Sequence, residues 1–137
     1  MNREMSIRTE GKGLYDITHK VFDALGTHQV HEAMVTIFLR HTSASLVIQE
    51  NADPSVQADL QAWLERLVPE GDALYTHTTE GPDDMPAHVK AALTQTHLCI
   101  PLLGGKLGLG TWQGIYLWEH RQAPHTRTFV VSLSAVL

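Results

Sequence analysis

Residues 97–136 read HLCIPL LGGKLGLGT WQGIYLWE HRQAPHT RTFVVSLSAV, and this stretch decides the fold. Three apolar runs, His97 to Leu102, Trp112 to Glu119 and Arg127 to Val136, are separated by Gly, Pro and polar clusters, which is the pattern of strands and turns. The connections between them are too short to hold a crossover helix, so an antiparallel sheet is expected. Upstream, Val30 to Arg40 reads as a long strand with Val35, Ile37 and Leu39 on one face and Met34, Thr36 and Phe38 on the other. Apolar residues on both faces predict a central strand. Ser45 to Gln49 reads as a further strand, and Ser6 to Ile17 as two strands around the turn at Gly11-Lys12-Gly13. Helices are fewer. Ile17, Val21, Phe22 and Leu25 fall at helical spacing, with Thr18 as cap and Gly26 as stop. In the best helix Asp53 is the cap, Pro54 takes the first helical position, and Val56, Leu60, Trp63, Leu64 and Leu67 form one stripe. A short helix starts near Pro86 and runs to about Leu93. The class is α+β: two main helices packed on an antiparallel sheet or sandwich, with the whole chain, 1–137, as one domain.

Composition bounds the function. Of 137 residues, 43% are hydrophobic and 18% charged, enough apolar material for a core. The formal net charge is −5 and the ten Lys and Arg are scattered, so neither nucleic acid nor an anionic membrane is expected as a partner. No apolar run is long enough to span a bilayer, and residues 1–5 lack the apolar core of a signal peptide. One cysteine, Cys99, rules out an intrachain disulfide and fits a reducing cytoplasm. Placed in an apolar strand, it should be inert.

Nine histidines are the unusual feature. Polar residues gather at His41-Thr42-Ser43-Ala44, at Glu50-Asn51-Ala52-Asp53 with Asp59 beyond, at Tyr75-Thr76-His77, and at Asp83-Asp84-Met85-Pro86-Ala87-His88. His77 and His88 are separated by a loop that can fold back, and His41 would complete three nitrogen ligands around a metal with one position open. Each also has a plain structural reading: His41 as a hydrogen-bonded core residue, His77 as a surface residue, His88 as part of a helix start, Asp53 as a cap. Trp63 reads as core, and Trp112 and Trp118 share one strand face with Tyr116 that packs either inside or against another subunit. The glycine-rich run Gly104 to Gln113, with Lys106 and Thr111, suits either an anion-binding loop or hairpin geometry, and it lacks the P-loop pattern. Ser43 lacks a nucleophile elbow.

Taken together, His41-Thr42-Ser43-Ala44, Glu50-Asn51, Asp53, Asp59, Tyr75-x-His77, Asp83 through Lys90, Ile100-Pro101 and Gly108 through Gln113 resemble the YjbQ-like family from about residue 10 to the end. Met85 stands where many members carry Asn. The resemblance implies an antiparallel β-sandwich, a homotrimer, and a polar pocket binding a divalent metal, Zn or Mg. It also implies a thiamine-phosphate synthase activity on phosphorylated small molecules, joining a pyrimidine diphosphate to a thiazole phosphate with release of pyrophosphate. That chemistry needs a positive centre for the departing pyrophosphate. On this reading His41, His77 and His88 hold the metal or contact phosphate, and Glu50, Asp84 and His41 are the catalytic candidates. Thr42, Ser43, Asn51, Thr111 and Gln113 contact substrate, while Lys106, Arg121 or Arg127 supply positive charge. The other reading is a metal- or phosphate-binding housekeeping module. On the enzyme reading, three protonated imidazoles without a metal would instead grip phosphate directly, and activity would fall as pH rises through about 6–7.

Overall fold

The computed structural model describes residues 1–135; Val136, predicted to end the last strand, lies outside the described residues. In chain order the elements are β1 (Asn2–Thr9), β2 (Gly13–Asp16), α1 (Thr18–Leu25), β3 (Glu32–Leu39), β4 (Ala44–Glu50), α2 (Pro54–Leu67), α3 (Asp84–Leu93), β5 (His97–Leu103), β6 (Lys106–Leu107), β7 (Gln113–Glu119) and β8 (His125–Ala135). They form two antiparallel sheets, β1-β8-β3-β5-β6 and β2-β7-β4. The α+β class, the antiparallel pairing and the three helical segments are as expected.

Alternation explains the layers. Ala33, Val35, Ile37 and Leu39 of β3, with Phe129 and Val131 of β8 and Ile100 and Leu102 of β5, face Leu46 of β4 and Ile115 and Leu117 of β7 across one apolar core. Helix α1 closes one side of it with Val21, Ala24 and Leu25. The opposite face of the three-stranded sheet is covered by helices, where Trp118 packs with Leu64 and Val68, and Leu60 and Val89 lie against them. Residues Gly114 to Glu119 of β7 are therefore buried on both faces. The outer face of the five-stranded sheet has no such cover, and Phe38 is 51% and Leu103 58% exposed.

Several local expectations change. Strand β3 is central, but only its Val35 face is buried. The two opening strands do not form a hairpin: β1 pairs with β8 and β2 with β7, in different sheets. Likewise β5, β7 and β8 are consecutive long strands that are not mutual neighbours, because β7 crosses to the other sheet. Thr18 does not cap α1. Its amide is held by Asp16 Oδ1 at 2.9 Å, and its hydroxyl accepts from the Ile115 amide at 2.9 Å. Asp53 does cap α2, accepting from the Ser55 amide at 2.9 Å, with Pro54 following it. Trp63 is 49% exposed rather than core, since Leu60 and Leu64 already fill the side of α2 that faces the sheet. Trp112, 63% exposed, stands ahead of β7 and outside the buried face of Tyr116 and Trp118. Cys99 is exposed on the uncovered face of β5. Gly104 and Gly105, both at positive φ, form the two-residue turn between paired Leu103 and Lys106. Such a turn requires positive φ at both positions, so hairpin geometry accounts for this glycine pair.

Candidate functional site

Three segments converge at one end of the three-stranded sheet: the entry to β4, the exit of β7 and the start of α3. Asp84, in the first turn of α3, is 2% exposed and carries the arrangement. Its Oδ2 lies 2.7 Å from His77 Nε2 and 3.3 Å from His88 Nε2, while its Oδ1 accepts from Arg121 Nη1 at 2.7 Å. Helical spacing places Asp84 and His88 four residues apart on one face. Arg121 also donates through Nε to Asp83 Oδ2 at 3.0 Å and through Nη2 to the Glu80 carbonyl at 2.9 Å, which pins the loop to the sheet. Burial alone would raise the pKa of Asp84. The His77 hydrogen bond and the charges of Arg121 and His88 outweigh it and hold the carboxyl below the usual carboxylate range.

One contact constrains the chemistry. His88 Nδ1 lies 2.8 Å from the Thr42 carbonyl, which can only accept, so Nδ1 carries a proton. In the neutral ring, Nε2 then presents a lone pair to the Asp84 carboxylate 3.3 Å away. Two acceptors facing each other call for positive charge, either a second ring proton or a cation. A ring N–H donated to a carbonyl is also the usual support of a metal-bound histidine. One ligand atom each from His77, Asp84 and His88 lies within 4.8 Å of the others. Tetrahedral zinc ligands at about 2.1 Å from the ion stand about 3.4 Å apart. The 3.3 Å between Asp84 and His88 matches this, while His77 would have to give up its 2.7 Å hydrogen bond and draw back slightly to join them around a small divalent ion.

His41 is not part of that group. Its Nε2 accepts from the Thr128 amide at 2.8 Å, and Arg127 Nη1 lies 3.4 Å from its Nδ1. Burial first, then Arg127, lowers its pKa and keeps it neutral, which opposes a phosphate-gripping imidazolium. It does line a pocket with Thr42, His88 and Thr96, adjoining the cluster. Arg127 and Ser43 are buried and committed to each other: Arg127 donates to Glu119, a bidentate partner, and to Ser43 Oγ at 3.0 Å. Neither has the exposure that a substrate contact requires.

The remaining predicted residues sit elsewhere. Glu50 pairs in register with Gln113 at the far end of β4 and β7. Six residues of strand separate it from Ala44, about 20 Å at 3.3 Å per residue. There Glu50 Oε2 accepts from the Asp53 amide at 2.9 Å, and Asn51 Nδ2 reaches the Gln113 carbonyl at 3.5 Å. Thr111 is exposed beside them, and Lys106 follows the β5–β6 turn, near Thr18 and Phe22. Sequence reasoning missed Glu119, whose signal was a lone acid ending an otherwise apolar strand, and gave Asp83 no role although it stands next to Asp84.

A protein-family model described as "UPF0047 protein YjbQ-like" matches residues 3–135. The chain belongs to the YjbQ-like UPF0047 family. A UPF0047 protein of Synechocystis is 52% identical over 128 residues, covering 93% of this chain and 87% of that one. The YjbQ protein of Salmonella typhimurium is 39% identical, covering 96% and 95%. Among solved structures, a conserved hypothetical protein from Thermus thermophilus superposes with a TM-score of 0.85 at 36% identity, covering 96% of this chain and 98% of that one. A YjbQ/UPF0047-family protein of Clostridium acetobutylicum gives 0.86 at 38%, with the same coverage. The YjbQ-like chain thus shares its fold and most of its length with these proteins. No helix among its described residues is long and apolar enough to cross a membrane.

Proposed function

We propose that this YjbQ-like protein is a cytoplasmic transferase of thiamine-phosphate synthase type, with a divalent ion held by His77, Asp84 and His88. The observation that carries the ion is the His88 ring, whose Nδ1 proton is fixed by the Thr42 carbonyl while Nε2 faces a buried carboxylate. The reaction itself rests on the family resemblance. The thiazole nitrogen bonds to the pyrimidine methylene carbon as the carbon–oxygen bond breaks, and pyrophosphate leaves with the electron pair. When bound, a divalent ion supplies positive charge to that leaving group. Arg121 keeps Asp84 ionised and oriented, and the Thr42 carbonyl fixes the His88 tautomer; both are outer supports of the kind that tune ligands.

The resemblance also implies a homotrimer. The uncovered face of the five-stranded sheet, with Phe38, Met34 and Leu103 exposed, supports association through that face. Glu50, Asn51, Thr111 and Gln113, at the far end of the other sheet, would reach an ion only if a further contact set that end against the cluster of another copy. The rival reading, a metal- or phosphate-binding module with incidental turnover, is favoured by one observation: within one chain the Glu50 end stands a strand's length from the cluster.

Titration of metal-stripped protein with Zn²⁺ or Co²⁺, together with turnover of the two phosphorylated substrates, tests the proposal. Native protein should take about one ion per chain. His77→Ala, His88→Ala and Asp84→Asn should each lose more than the about 10–100-fold typical of an outer support. His41→Ala should bind as the native protein does. Stoichiometric binding that ignores His77 and His88 would sink the site, and binding without substrate turnover would leave the module.

A further inference from the structure

His77 has a second neighbourhood. Besides packing against His88, whose ring centroid is 5.4 Å from its own, His77 lines a solvent-open groove of about 300 Å³ formed by residues between 71 and 86. Its walls are the Tyr75 ring and the apolar surfaces of Pro82, Met85 and Pro86, with Asp72 and Thr78 as polar edges. Pro86 is buried and Tyr75 and Met85 half-buried, while Asp72, His77, Thr78 and Pro82 are exposed at its edge. The size lies at the small end of ligand pockets, and the lining has their usual character of apolar walls with a few placed polar groups.

The charge distribution says which kind of ligand fits. No Lys or Arg lines this cavity among the described residues, so it is unsuited to a phosphate. Asp72 is the acid on its rim. Its Oδ1 is used by the Leu74 amide at 2.9 Å, and a carboxylate has further lone pairs to accept an amino or ring N–H. An aromatic face at Tyr75 favours a flat ring that can stack. His77 belongs both to this groove and to the cluster with Asp84 and His88, so the two sites adjoin.

We propose that the 71–86 cavity is the subsite for a flat, uncharged, single-ring nitrogen heterocycle bearing an amino group, placed so that an anionic substituent meets the ion. This rests on the proposed ion site and assigns it an orientation: in the thiamine-phosphate reading the aminopyrimidine half lies in the cavity.

The protein carries four methionines, Met1, Met5, Met34 and Met85, so methyl-labelled methionine gives a small set of NMR reporters. With 4-aminopyrimidine as probe, the Met85 methyl should shift saturably while those of Met5 and Met34 stay fixed. Inorganic phosphate should leave Met85 unmoved. Tyr75→Ala should weaken aminopyrimidine binding about fivefold, the size of a lost stacking contact, and Tyr75→Phe should restore it. Unchanged Met5 and Met34 signals in both variants certify the fold. A Met85 methyl that does not respond, or a response that survives Tyr75→Ala, overturns the subsite. Co²⁺ titrated alone is a separate arm: bound at His77, Asp84 and His88 it displaces the Met85 signal without any heterocycle. Failure of that arm removes the ion site while ring binding is read independently.

Discussion

His120 is 1% exposed, on a strand exit where the Lys90 ammonium and the Trp118 ring lie close. Its Nε2 is 2.9 Å from Ser45 Oγ and its Nδ1 has no hydrogen-bond partner. Burial, and then the nearby Lys90 charge, push its pKa down to about 3. The unfolded chain takes up a proton below about 6.5, which the folded chain refuses until about pH 3. The unfolded state binds more protons in that window, so stability falls as pH falls, by up to about 1.4 kcal/mol per pH unit. Urea unfolding of chelator-treated protein between about pH 7 and 4 should therefore show a steeper loss for the native chain than for His120→Gln. Parallel curves would refute the assignment. Asp84, Asp83 and Glu119, all held below the usual carboxylate range, lose their contribution only at lower pH. Of the site, what could be read from the sequence was what is local. His77, Asp84 and His88 fall within one short stretch, and a loop leading into a helix brings them together. His41 was misplaced because its fate is set by Arg127 and Thr128, 86 and 87 residues away in the chain, which no spacing rule reports.

At the scale of elements, strand exits rather than strand middles carry the polar work. Glu119 ends β7 on the core side, Arg127 lies on the same side of β8, and Thr9 at the end of β1 donates to Glu119 Oε1 at 2.6 Å. This pair closes one mouth of the sandwich and also holds Ser43, next to the Thr42 carbonyl that orients His88. Arg127→Met leaves Glu119 buried without its counter-charge, and removing one partner of a buried pair costs about 3–5 kcal/mol. Arg127→Met with Glu119→Leu should recover most of that loss in thermal or urea unfolding. A double variant as unstable as the single one would show that packing, not the orphaned charge, sets the cost. The elements themselves were largely readable: Asp53-Pro54 marked the start of α2, and the apolar runs bounded by polar and turn residues marked β3 and β4. Sheet membership was not, because alternation says which residues share a face and is silent about the strand that lies alongside. The same limit explains Trp63 and Phe38, whose apolar stripes were correctly seen while their cover was not.

On the whole-molecule scale the two polar ends of β4 and β7 pose a geometric question. His77, Asp84 and His88 cluster at one end, and Glu50, Asn51 and Gln113 at the other, about 20 Å off along a rigid sheet. A closed ring of three copies makes heterologous contacts, so it can set one end of a copy against the opposite end of the next. If it does, each working site draws on two chains, and His88→Ala and Glu50→Ala damage different halves of it. Each variant alone should be nearly inactive yet sediment as a trimer. Co-expressed in equal amounts, they should form mixed trimers in which about one site in four joins two intact halves, restoring turnover to about a quarter of native. Separately purified variants, mixed without exchange of chains, should stay inactive. Mixed trimers no more active than either variant would place the working groups within one chain, whereas a Glu50→Ala variant that turns over as the native protein does would leave Glu50 as the cap of the Asp53 turn and nothing more.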